Sequence, residues 1–147
     1  MTSATRTTPL GHWEHFQHIA DIGVRGIGAT PAEAFAQTAL AMTAVITDPA
    51  IIRPAGCVEV RCEAPDLELL LADWLNAILF EMATRHMLFG RFEVELVGTC
   101  LTGQLWGEAI DQARHQPKVE VKAATYTCLA VQPGQDGLWI AQCVVDV

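Results

Sequence analysis

The sequence predicts an α+β fold, a two-layer arrangement in which a largely antiparallel sheet packs against two helices. Three observations carry the prediction. Two segments, 30–45 and 66–82, repeat their apolar residues at helical spacing. Most of the remaining chain alternates apolar and polar residues, as half-buried strands do. The resulting order is strand-strand-helix-strand-helix and then four strands, which is not the strict alternation that builds a parallel sheet.

Residues 1–11 read as a flexible leader, leaving 12–147 as a single domain. The leader has one arginine and no apolar run, so it does not read as a signal peptide. Strands are expected over 13–19 and 22–28, with Asp21 at their junction. Thr30-Pro31-Ala32-Glu33 starts the first helix: Thr caps, Pro fits the first turn and Glu closes a capping box. Asp48-Pro49 ends it. Residues 57–62 alternate as a strand. Asp66 opens the second helix, whose Leu67, Leu70, Leu71, Trp74, Leu75, Ile78, Leu79 and Met82 form a wide apolar face. Strands follow over 88–97, 101–110, 119–131 and 138–147, separated by Gly- and Pro-containing turns.

The chain of 147 residues carries nine Lys and Arg against seventeen Asp and Glu, a net charge of −8. Nucleic-acid affinity rests on neutralising phosphates with basic side chains, so direct RNA or DNA binding is not expected. Docking against a basic protein partner suits this charge better. The most apolar stretch, 67–83, is broken by Glu68, Asp73 and Glu81, which disqualifies it as a membrane span. Five scattered cysteines include no C-x-x-C pair and read as buried thiols of a cytoplasmic protein.

His12, His15 and His18 have metal-like spacing, yet in a strand His15 points away from the other two. Gly23, Gly26 and Gly28 do not make a dinucleotide fingerprint and instead mark a bulge or a close backbone approach. Asp73 sits at the edge of the helical stripe, where an acid is ordinarily solvated. Lys122 falls on the face of the 119–131 strand shared by Glu120, Ala124 and Tyr126, where a plain Glu–Lys surface pair is the commoner arrangement. Asp21 and Asp146 lie in apolar surroundings at opposite ends of the domain. If their strands pair, the two carboxylates repel until a proton or a cation joins them, and hard oxygen donors suit Ca²⁺, Mg²⁺ or Mn²⁺. Spacing alone leaves two unrelated acids at strand ends as the alternative.

Five stretches, in order, resemble the archease family. HIADIG (18–23) is similar to H-T-A-D-I/V-G, and TPAEAFAQTALAM (30–42) to a T-x-E-E-A-F helix. DLELLLADWLNAIL (66–79) resembles the family's second helix. Gly107-Glu108, Asp111 and His115, followed by VEVKAATY (119–126), resemble G-E-x-x-D-x-x-x-H leading into E-I/V-K-A-I/V-T-Y. VVDV (144–147) is similar to the closing V-V/L-D motif.

The resemblance implies an accessory protein without catalytic activity of its own. Its partner would be an RtcB-type RNA ligase, which it would help to become guanylylated and to turn over repeatedly in tRNA splicing or RNA repair. It also implies a divalent cation, calcium first and Mg²⁺ or Mn²⁺ next, held by Asp21, Asp146 and a main-chain oxygen of Val147. Lys122 and His18 map to positions that serve activation of the partner. Two departures stand out: Ile19 replaces a Thr whose hydroxyl could orient its neighbours, and Thr127 replaces a His. Two rival readings remain. One is a chaperone-like module stabilising RNA-processing or methylating enzymes. The other is a small metal-dependent hydrolase using Asp21, Asp146 and His18.

Overall fold

A computed structural model describes residues 11–18 and 20–147. Strands β1 (Gly11–His18) and β2 (Asp21–Gly28) form a hairpin, followed by α1 (Pro31–Ile46) and a 3-10 turn at Pro49–Ile51. Then come β3 (Gly56–Glu63), α2 (Leu67–Arg85), β4 (Met87–Val97) and β5 (Cys100–Ala109). A short α3 (Gln112–His115), β6 (Ala123–Ala124), β7 (Ala130–Pro133) and β8 (Trp139–Asp146) complete the chain. The reading of 1–11 as a leader lies outside the described residues except at Gly11, which already belongs to β1.

The fold is α+β, and its strands form two antiparallel sheets rather than one. The first runs β1-β2-β8-β6, with β7 also paired to β8; the second runs β3-β5-β4. Both main helices touch both sheets: α1 lies on β2 and β4, and α2 against β3 and β6. The apolar faces therefore meet in one core, in which Phe35, Leu70, Trp74, Leu75, Ile78 and Phe89 are fully buried. Trp74 satisfies its ring nitrogen by donating to the Phe35 carbonyl at 3.1 Å, and so fastens α2 to α1.

The helix boundaries follow from the caps. Thr30 Oγ1 accepts the Glu33 N–H at 3.1 Å, while Glu33 reaches back to the Ala29 N–H at 2.5 Å. Asp66 Oδ1 accepts the Leu69 N–H at 2.8 Å, and His86, left-handed at φ 56°, ends α2. Gly26 lets α1 come down onto β2: a Cβ there would stand 2.2 Å from the Ala34 carbonyl oxygen. The glycines of β2 thus mark close approach, and the β1–β2 register runs without a bulge.

Two expectations need correction. The strand over 119–131 is only Ala123–Ala124 and Ala130–Pro133. Gln116 turns left-handed at φ 48°, and Lys118 gives its N–H to the Ile46 carbonyl at 2.8 Å, drawing the segment toward the end of α1 instead of into a ladder. A second left-handed residue, Cys128 at φ 56°, bends the chain before β7. The expected outward face therefore fails at Ala124, which is buried. Of the cysteines, only Cys143 is buried; Cys57, Cys100 and Cys128 are exposed. In β3 it is Val58 and Val60 that take the inward positions, and Cys57 alternates outward.

Candidate functional site: an acidic end of the first sheet

Residues paired across antiparallel strands share a face of the sheet. Ile22 pairs with Val145, and both belong to the helix-facing core side. Asp21, the first residue of β2, and Asp146, the last of β8, are each one step away. Both therefore lie on the outer face, at the same end of neighbouring strands. His18 pairs with Asp21 and Ala123 with Asp146, so the row across four strands reads His18, Asp21, Asp146, Ala123. Asp21 is half-buried and Asp146 exposed.

Lys122 joins this end through its backbone, donating its N–H to the Asp146 carbonyl at 2.7 Å. Its side chain is exposed, and no ion pair engages it among the described residues. Val147 follows with its side chain packed on the core from the helix side. The five residues singled out by the resemblance thus gather at one end of one sheet. His15 departs from it, bonding the Ala41 carbonyl at 2.8 Å beneath the sheet, so the three histidines do not converge.

The neighbouring outer-face cation is occupied. Arg25 pairs with Glu14, donates to Gln142 Oε1 at 2.8 Å, and stacks over Phe16 at 4.6 Å. Phe16 in turn rests on Gly23, where a Cβ would stand 2.3 Å from its ring. Arg25 is therefore spent on Glu14, and among the described residues no ion pair engages Asp21 or Asp146. His18 Nδ1 is buried and has no hydrogen-bond partner among the described residues, a costly state for a polar atom unless something meets it.

The side-chain donors that Asp21 and Asp146 bring to this end are carboxylate oxygens, while the Asp146 carbonyl is taken by the Lys122 N–H. Among the described residues no three His, Cys, Asp or Glu side chains cluster to hold a metal. A hard divalent cation fits such a donor set, with water or a partner completing roughly six to eight ligands if it is calcium. A groove of about 460 Å³ lies elsewhere, between the end of α2 and residues 117–121.

The Glu108, Asp111 and His115 motif forms a different structure, a latch. Glu108 Oε2 accepts from Arg114, from the Arg53 N–H at 2.9 Å and from His115 Nε2 at 2.9 Å. His115 Nδ1 accepts the Asp111 N–H at 2.8 Å, which places the ring proton on Nε2. The Arg114 guanidinium, with these two further donors, holds the Glu108 carboxyl down at about 2. Asp111 caps α3 through the N–H groups of Ala113 and Arg114.

One residue escaped the sequence reading. Asn76, on α2, accepts the Ala124 N–H at 2.9 Å and donates to the Ala124 carbonyl at 3.1 Å. The available signal was an amide side chain between Leu75 and Ile78 in a mostly apolar helix.

A small α+β domain with this acidic sheet end has close relatives. Residues 13–147 match the model of the archease protein family, and the chain belongs to that family. It is 40% identical to the protein archease of Thermococcus gammatolerans, over 94% of this chain and 100% of that one. Identity to the archease of Pyrococcus furiosus is 39%, with the same coverage of 94% and 100%. The solution structure of protein 1598 from Methanobacterium thermoautotrophicum superposes with a TM-score of 0.81 at 34% identity, covering 92% of this chain and 98% of that one. An archease from Thermotoga maritima, described as a possible chaperone, shares the fold at a TM-score of 0.60 and 17% identity, covering 97% and 98%. Among the described residues no helix is long and apolar enough to cross a membrane.

Proposed function

We propose that this protein is a non-catalytic activator of an RtcB-type RNA ligase. It promotes guanylylation and repeated turnover of the ligase in tRNA splicing or RNA repair, and it works in the cytoplasm. The observation that carries the reading is that Asp21 and Asp146 lie at the same end of neighbouring strands, each one step beyond the Ile22–Val145 pair, in a chain of the archease family. Two adjacent carboxylates attract a divalent cation, calcium first and Mg²⁺ or Mn²⁺ next, and a main-chain oxygen of Val147 completes the protein's donors. Lys122 supplies a free ammonium beside the acids for a phosphate or an acidic group of the partner, and His18 flanks Asp21. The net charge of −8 steers the protein toward a basic ligase channel and away from bare RNA.

The direct experiment measures transfer of labelled GMP to a purified ligase, with wild-type protein and with an Asp21→Ala, Asp146→Ala double variant. Loss of stimulation by a folded double variant is the expected result. Full stimulation would remove the acids from the mechanism and favour a chaperone-like module, in line with the description of the Thermotoga relative. GTP hydrolysis or RNA joining by this protein alone would make it an enzyme.

A further inference from the structure

We infer that Asn76 is a positioning residue for the acidic sheet end: its side-chain amide stands in for a missing strand and, through β6, holds Asp146 beside Asp21. The inference rests on the reading of those two acids as a cation-binding pair. The pairing of β8 with β2 reaches Val145 opposite Ile22 and stops there. Asp146 itself is tied to the other neighbour, by register with Ala123 and by the Lys122 N–H on its carbonyl at 2.7 Å. Strand ends fray unless something ties them down, so the place of the Asp146 carboxylate depends on β6.

Strand β6 is only two residues long, too short to define its own position by pairing on one side. Its outer edge is where Asn76 acts. The amide oxygen takes the Ala124 N–H and the amide nitrogen serves the Ala124 carbonyl, the donor–acceptor pair that another strand would present. Leu75 and Ile78, both fully buried, fix this stretch of α2 in the core. Rigidity thus passes from the core to Asn76, to Ala124, and then to Lys122 and Asp146. A carboxylate held in this way does not have to be ordered when a cation arrives.

The test compares wild-type protein with Asn76→Ala by NMR amide exchange and by calorimetric titration with calcium. In wild-type protein the Ala124 amide exchanges slowly although, among the described residues, no strand covers that edge. In Asn76→Ala the Ala124 and Lys122 amides exchange about tenfold faster or more, while those of Val24 and Cys143 keep their wild-type rates. Calcium affinity falls about five- to tenfold at unchanged stoichiometry. A wild-type Ala124 amide exchanging as fast as an unstructured one would overturn the inference without any variant. Wild-type binding with equal binding by Asn76→Ala would overturn it alone. Wild-type protein that binds no calcium would overturn the cation reading and the role of Asn76 in it together.

Discussion

Lys122 and Asp146 are joined through the backbone: the N–H of one meets the carbonyl of the other at 2.7 Å, while both side chains stay exposed. The contact brings the two residues together at one sheet end and uses neither side chain. Lys122→Ala removes the ammonium and leaves the backbone tether in place. Ligase stimulation is expected to fall while calcium affinity holds or rises, measured by guanylyl transfer and titration in parallel. Equal loss of both would mean that the side chain only shapes the site.

The Glu108 latch makes a pH prediction. Its carboxyl titrates at about 2 in the folded protein, against an ordinary value of 4.5. A depressed carboxylate pKa contributes stability that is complete above the ordinary value and is lost as pH falls toward the folded one. Urea midpoints should show Glu108→Gln losing its disadvantage relative to wild type as pH drops from 4.5 to about 2. A difference that stays constant across that window would rule out the ion pair with Arg114 as its source.

Gly23 and Phe16 should be coupled. A Cβ at Gly23 would stand 2.3 Å from the Phe16 ring, so Gly23→Ala is expected to cost about 1–3 kcal/mol. Adding Phe16→Ala relieves the clash, and the pair should cost less than the sum of the single changes. Strict additivity in denaturant unfolding would show that the ring already moves freely.

The thiols should separate by reactivity. Burial pushes the Cys143 thiol up to about 12, whereas Cys57, Cys100 and Cys128 are exposed. Mass spectrometry after brief alkylation of the native protein should find Cys143 unmodified. Modification of Cys143 at the rate of Cys57 would place it on an opening segment.

Much of the fold was legible because its signals are local. Thr30, Glu33 and Asp66 cap the helices at the positions their spacing implies. The division into two sheets was not legible, because alternation shows that a strand forms and not which strand it pairs with. The 119–131 strand misled for a related reason. Its Val-Glu-Val-Lys alternation is genuine, but Gln116 and Cys128 turn left-handed and Lys118 is drawn to Ile46. At the site, Asp21 and Asp146 stand out in the sequence as acids in apolar surroundings, but only the family resemblance joins them, since no spacing rule pairs residues so far apart in the chain. Asn76 was hidden because its partner Ala124 belongs to a strand too short to leave a pattern.

Whether Asp21 and Asp146 form one cation-binding unit is decided most directly by titrating calcium into isotope-labelled protein and following its amide resonances. Saturable shifts confined to the ends of β2 and β8 and to residues 122–124, abolished by either Asp21→Ala or Asp146→Ala alone, are the expected result. Shifts centred elsewhere, or shifts that survive the loss of one acid unchanged, would contradict a shared site.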